Sequence, residues 1–463
     1  MLKDLGGKKE FKVIIMKDLT EGNEAKVLIL FSLPMLLGNL LQQLYNVVDT
    51  IVVGKYVSEK ALSAVGQAFP IVLVFLSLMI GFSLASNILI AQFLGAKKND
   101  NVKKTVHTTI CTIFCFGIFM SIIGFFLTPQ ILYIMRVPPD VLEISERYVK
   151  ITFAGVIFLF LYNGFTAMLR GFGDSKTPLY VLVVSTVLNI ILDLVFVIVF
   201  KLGVDGVAYA TVISQAVSAF LLILIARKEH EVLRFNVFKL QFDRDIFVKS
   251  IKLGLPSGIQ QSLVGAGFMT ITSLVNNFGS VASASFVAAS KLDAFATMPS
   301  FNIGLALATF VGQNMGAGKM ERVKRGLHSA LAIGVSITAL FTILVMIFAK
   351  YVMMLFLSSE VYLAGGMLYI YLVAPSYIIQ ATMFIVNGVI RGAGDTFFSM
   401  IATLLTMWGF RIPIAIFLSS FLGVKGVYLS IGIGFSIGTI ISFTYYFSNK
   451  WAKKAKILLG DAT

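Results

Sequence analysis

Twelve apolar runs, each long enough to cross a hydrocarbon layer about 30 Å thick, set the terms on which this chain folds. They lie at roughly 27–53, 61–94, 104–128, 143–168, 177–200, 204–226, 248–277, 282–314, 326–349, 361–388, 396–421 and 425–448. With 57% hydrophobic and 13% charged residues and a mean hydropathy of +0.89, the chain is no soluble globular protein. The expected fold class is an all-α polytopic membrane protein.

The formal net charge of +15 follows from topology rather than from a nucleic-acid partner. With the N-terminus placed inside, 28 Lys and Arg fall on cytoplasmic segments, 8 on outer ones and 2, Lys291 and Arg411, within spans. That asymmetry predicts an N-in, C-in arrangement. The expected divisions are a cytoplasmic N-terminal segment (1–26), a first six-helix bundle (27–226), a cytoplasmic linker (227–247), a second six-helix bundle (248–448) and a cytoplasmic tail (449–463). The first 26 residues hold six Lys and no apolar h-region, so no cleavable signal peptide is expected. "MKDLTEGNEAKVLIL" from Met16 also has the form of a start, which would make residues 1–15 a dispensable leader. Cys111 and Cys115, the two cysteines, are expected to be small buried hydrophobes with no disulfide or zinc role.

The two halves resemble each other at a shift of about 221 residues. "QFLGAKKNDNVKKTVH" (92–107) aligns with "QNMGAGKMERVKRGLH" (313–328) at seven of sixteen positions. "LRGFGD" (169–174) pairs with "IRGAGD" (390–395), and "LGVDGVAYA" (202–210) with "LGVKGVYLS" (422–430). Six spans per copy give both copies one orientation, a parallel repeat about an axis along the membrane normal. Two such bundles can rock about a central site and expose it to either side in turn, which favours transport over a channel. An integral-membrane enzyme is the remote alternative. The three His lie in or beside cytoplasmic segments, no metal-ligand pair is apparent, and no G-x-S-x-G or H-E-x-x-H motif occurs.

Charges inside spans are costly, by at least ~2.5–3.5 kcal/mol on insertion scales, and mark function by default. At 1.5 Å per residue, Asp49, Asp193, Asn189 and Thr211 lie roughly 8, 10, 16 and 10 Å from the outer ends of spans 1, 5, 5 and 6. Two carboxylates, an amide oxygen and a hydroxyl form an oxygen-only set suited to a hard cation such as Na⁺. Without a metal, two acids in one low-dielectric pocket cannot comfortably both ionise, so the same set also reads as a proton site. The bland reading of each is a helix-packing hydrogen bond.

In the second half, Asp293 is expected to pair with Arg411 or Lys291, either as a buried ion pair or beside a substrate. The wall between the bundles is expected to be apolar and adaptable, with Gln42, Tyr45, Asn163, Gln260, Met269, Lys291, Asp293, Asn387 and Arg411 as candidate cavity residues. Pro34 and Pro256, related by the repeat, are either hinges or harmless first-turn prolines.

The 6+6 repeat, "LPMLLGNLLQQLYNVVDTIVVG" (33–54), the paired "RGFGD" and "RGAGD" turns and "AASKLDAFATMPSFNIGLALATFVGQNMGAG" (288–318) together resemble the multidrug and toxic compound extrusion (MATE) family over about 30–450. The resemblance implies a secondary antiporter that expels amphipathic, often cationic organic compounds in exchange for H⁺ or Na⁺, with no cofactor and no catalytic residue. Asp49, Asn189, Asp193 and Thr211 match the first-bundle cation site of the family's DinF-type branch. Ile271 stands opposite Asp49 and no acid stands opposite Asp193, so the second-bundle acidic site of the NorM-type branch is missing. The implied partners are small organic substrates and the lipid bilayer, in the cytoplasmic membrane of a prokaryote, with the chain a monomer that binds no nucleic acid. A lipid-linked precursor flippase of the same superfamily is the alternative. It would be expected to show fourteen spans and a strongly cationic cavity.

Overall fold

The apolar runs fold into long helices in the predicted order. This computed structural model describes residues 18–135, 137–236, 239–357 and 359–460; the expected leader, with the Met16 start, lies outside them. The first half contains α1 (Glu24–Tyr56), α2 (Glu59–Gly95), α3 (Asn99–Ile134), α4 (Pro139–Gly171), α5 (Lys176–Leu194) and α6 (Gly203–Glu229). The second contains α7 (Arg244–Asn276), α8 (Ser280–Gly316), α9 (Met320–Ile347), the short α10 (Ala349–Met354), α11 (Glu360–Val373), α12 (Ser376–Gly392), α13 (Thr396–Leu404), α14 (Ile412–Leu422), α15 (Val424–Phe447) and α16 (Lys450–Leu459). Side-chain caps start several of them. Asn23 accepts from the Lys26 amide at 3.0 Å, and Asp243 accepts from the Ile246 amide at 3.0 Å.

Among the described residues, ten helical segments are long and apolar enough to span a membrane, and the pair α11 and α12, bent by 48°, makes an eleventh. The more polar α7, 33 residues long, supplies the twelfth unit of the repeat. The bend falls where Pro375 cannot continue the helix, so the expected tenth span is two helices. Two other spans carry a local π-helical turn, at Val195–Val199 after α5 and at Leu405–Arg411 between α13 and α14. Such turns widen the helix and re-aim the side chains beside them.

Helices α1 and α7 do not stay within their own bundles. The first part of α1 packs Val27, Leu28, Phe31 and Met35 against Ile303, Leu307 and Phe310 of α8 in the other half. Its far end packs Val52 and Val53 against Val204 and Val207 of α6. Helix α7 does the converse, with Ile246 and Leu253 among first-half residues and Ile271 and Val275 in the second-half core. Because α1 begins at Glu24 and α7 at Arg244, Pro34 and Pro256 lie in helix interiors, and the first-turn reading of them is set aside. Each removes an intrahelical hydrogen bond near the point where its helix changes partners.

The end of the molecule that carries both described termini is closed. A Cβ at Gly95 would lie 2.0 Å from the Gln313 carbonyl, and one at Gly316 only 2.1 Å from that of Gln92, so the α2 and α8 backbones meet directly. Gln92 donates to the Gly392 carbonyl at 2.9 Å, and Gln313 to that of Gly171 at 3.0 Å. The chain entering α1 is strapped across this seam, with buried Leu19 donating from its amide to Gln313 Oε1 at 3.1 Å. The expected tail is an amphipathic helix, α16, which buries Trp451, Ala455 and Leu459. The cysteines differ from expectation: Cys111 is half-buried and Cys115 is exposed on the outer face of α3.

Candidate functional site

Asp193 closes the last turn of α5, and Asn189 stands one turn before it on the same face; both are fully buried. From α1, Asp49 reaches the same point. The Asn189 amide lies between the acids, 3.1 Å from Asp49 Oδ1 and 3.2 Å from Asp193 Oδ2. Facing two carboxylate oxygens, the amide is read with its nitrogen toward them, donating to both. Asp193 Oδ1 is buried with no hydrogen-bond partner among the described residues. Tyr45, one turn before Asp49, donates from its hydroxyl to Thr211 Oγ1 of α6 at 3.1 Å and lies within electrostatic reach of both acids.

Three of the four residues expected to form a cation set are thus in direct mutual contact, and Thr211 joins them through Tyr45. One detail goes beyond the expected set: Tyr45 belongs to this cluster as well as to the wall of a cavity. Tyr148 of α4, which sequence reasoning passed over, also senses both acids.

The second half surrounds its half-buried acid differently. Asp293 of α8 accepts from Tyr369 of α11 and Tyr377 of α12, both at 2.5 Å. Arg411 is an electrostatic neighbour of Asp293, but among the described residues no ion pair joins Asp293 to it or to Lys291. Arg411 instead lies over the Phe435 ring at 5.7 Å, and Lys291 over Phe356 at 5.5 Å. The expected Asp293 ion pair is therefore replaced by two phenols, because α11 and α12 bring both hydroxyls to the carboxylate.

Between the halves lies a cavity of about 250 Å³ lined by residues of both, among them Met35, Asn39, Asn163, Gln260, Phe301 and Leu305. A smaller one, about 70 Å³, lies within the first bundle beside the acids and is lined by Gln42, Tyr45, Asn163 and Thr211. Of the expected cavity residues, Gln42, Tyr45, Asn163 and Gln260 line one of these two, whereas Met269, Lys291, Asp293, Asn387 and Arg411 line neither. Met269 is exposed on the protein surface, and Asn387 is buried, accepting from Ser442 at 3.3 Å. Mid-span depth does not say which way a helix face turns.

Arg170 and Arg391, unassigned by sequence reasoning, also line the central cavity. The signal for them was present in the paired "RGFGD" and "RGAGD" segments, whose sequence points to turns and not to a cavity wall.

A model of the MatE family matches residues 34–195 and 256–417, one match in each half, starting at the repeat-related Pro34 and Pro256. The chain is 32% identical over 435 residues to the probable multidrug resistance protein YpnP of Bacillus subtilis (strain 168), covering 94% of this chain and 97% of that one. It is 33% identical over 436 residues to the probable multidrug resistance protein YoeA of the same organism, covering 92% and 94%. In fold it is similar to a crystal structure of MATE in the bent conformation, with TM-score 0.88 at 22% identity over 95% of this chain and 98% of that one. A Vibrio cholerae MATE transporter, VcmN, in the bent form gives TM-score 0.87 at 21% identity over 94% and 98%.

Proposed function

The chain belongs to the MatE family, and on that premise we propose that it is a secondary active antiporter that exports amphipathic organic compounds across the cytoplasmic membrane in exchange for H⁺ or Na⁺. The names of its relatives support export of drug-like molecules, and its non-enzymatic character follows from that reading. The observation that carries the coupling is the first-bundle acid pair. A half-buried carboxylate, Asp49, and a fully buried one, Asp193, share one amide, and Asp193 Oδ1 has no hydrogen-bond partner among the described residues. Leaving such an oxygen charged and unpaired is costly, so the pair needs a proton or a metal cation to complete it.

In this account the end bearing the termini is cytoplasmic and is sealed by the α2–α8 contact, so the cavity communicates with the outer side. A cation entering the acid pair neutralises Asp49 and Asp193. Tyr45, tied to Thr211, carries the change along α1, whose interior Pro34 lets it bend. Cargo leaves, and the empty carrier turns inward. Coupling requires that the cation bind one state better than the other.

The test is dye efflux from vesicles under an imposed pH or Na⁺ gradient, with Asp49→Asn and Asp193→Asn. Gradient-driven efflux is expected to fail in both; undiminished efflux in both would overturn the proposal. Removing Na⁺ at fixed pH then assigns the ion. The flippase reading gains one observation, the two cavity arginines. Rescue of drug-sensitive cells by expression separates it from drug export.

A further inference from the structure

The two arginines that face the central cavity are related by the internal repeat, Arg170 in "LRGFGD" and Arg391 in "IRGAGD". Both stand in the last turn of their helices, α4 and α12, where a cation ordinarily serves the terminal carbonyls. Here those carbonyls are already taken by backbone amides. Phe172 donates to Met168 at 3.1 Å, Gly173 to Arg170 at 2.9 Å and Asp174 to Leu169 at 2.8 Å. The second turn repeats this, with Ala393 to Val389 at 3.0 Å, Gly394 to Arg391 at 2.8 Å and Asp395 to Ile390 at 3.0 Å. Positive φ at Gly173 and Gly394, 85° and 91°, makes this closure possible.

Neither guanidinium hydrogen-bonds to protein among the described residues, and Nε of each is buried without a partner. Arg391 is only 8% exposed. The acids nearest in sequence are engaged elsewhere. Asp174 accepts from the Lys176 and Thr177 amides, each at 3.0 Å, and faces His230 at 3.9 Å. Asp395 accepts from the Tyr445 hydroxyl and the Phe398 amide. Among the described residues no carboxylate lines the cavity; its other polar groups are neutral, among them Asn39, Asn87, Asn163 and Gln260. A cation there would meet two like charges with nothing to offset them, whereas an anion would meet two planar forks of unused donors.

We propose that Arg170 and Arg391 form an anion-binding floor to the cargo cavity, and that its preferred cargo is an amphipathic organic molecule bearing a carboxylate, sulfonate or phosphate group. The apolar body rests against Met35, Phe301 and Leu305, and the charged group sits on the two guanidiniums. This inference rests on the reading of the central cavity as the cargo site, and it reverses the charge that the family resemblance implies.

The test uses two dyes that share a ring system and differ in charge, anionic sulforhodamine B and cationic rhodamine 6G. Their binding to the full-length protein in phosphatidylcholine nanodiscs is followed by fluorescence anisotropy. Arg170→Gln and Arg391→Gln are each expected to weaken sulforhodamine B about tenfold or more and to tighten rhodamine 6G. Arg170→Lys and Arg391→Lys, which keep the charge, retain much of the anion affinity and show that the glutamine effect is not misfolding. Adding phosphatidylglycerol distinguishes the sources of anion: competition with the dye identifies a lipid headgroup, and its absence a soluble cargo. Wild-type sulforhodamine B affinity in both glutamine variants, or a wild-type preference for rhodamine 6G, overturns the proposal. Charge-selective binding without gradient-driven movement of either dye would count against antiport and leave the arginine floor standing. Gradient-driven efflux indifferent to both arginines would do the reverse.

Discussion

The two halves share one repeat and each holds a carboxylate among its helices, yet they complete it in opposite ways. In the second half Asp293 receives two tyrosine hydroxyls at 2.5 Å and has Arg411 as an electrostatic neighbour. Every contribution comes from the protein, so nothing need enter or leave. In the first half Asp49 and Asp193 share the single amide of Asn189, and Asp193 Oδ1 is left over. On the proposed reading the duplication separates two tasks, with one acid that holds α8, α11 and α12 together and another that takes the coupling ion.

The largest effect that would break this contrast is on transport. Asp49→Asn and Asp193→Asn are expected to lower gradient-driven efflux about tenfold or more, measured in proteoliposomes. Asp293→Asn is expected instead to act on stability, by about 1–3 kcal/mol, because an amide cannot accept both tyrosine hydroxyls as well as a carboxylate does. Thermal unfolding in detergent reads that cost. Next in size, Asn189→Leu removes the donor shared by the two acids and is expected to change the cation concentration at half-maximal efflux about fivefold or more. Tyr377→Phe deprives Asp293 of one donor and is expected to lower stability by about 1 kcal/mol without moving that concentration.

The smallest effect concerns the repeat-related turns. Burial raises the Asp174 carboxyl, but the nearby His230 ring, the Thr177 hydroxyl and the hydrogen-bonding Thr177 and Lys176 amides outweigh it and bring the group below its ordinary value. A carboxyl lowered on folding stabilises the native state above its unfolded value, about pH 4, and that contribution is lost as pH falls through the folded value. Unfolding midpoints measured between about pH 3 and 6 should fall with acid in the wild type, and the slope should be shallower in Asp174→Asn.

Much of the architecture was legible because hydropathy and repeat are one-dimensional signals. Twelve runs, the shift of about 221 residues and the shared layer of Asp49, Asn189 and Asp193 all come from counting along helices. What counting misses is rotation and crossing. It could not show that α1 and α7 change bundles partway, that Tyr369 and Tyr377 converge on Asp293 across the break at Pro375, or that Asn387 turns into a buried contact with Ser442. Arg170 and Arg391 were hidden for another reason. An arginine at a helix end normally reads as a cap, and only the backbone hydrogen bonds of the turn show that the cap is already made.

The most direct measurement is of the coupling ion itself. With the protein in proteoliposomes, an imposed substrate gradient should drive a counterflow of cation, followed by a pH-sensitive dye for H⁺ and by radioactive Na⁺. The account predicts counterflow of one of these ions in the wild type and in Asp293→Asn, and none in Asp49→Asn or Asp193→Asn. Counterflow that persists in both first-bundle variants, or that is lost equally in Asp293→Asn while the protein remains folded, would contradict it.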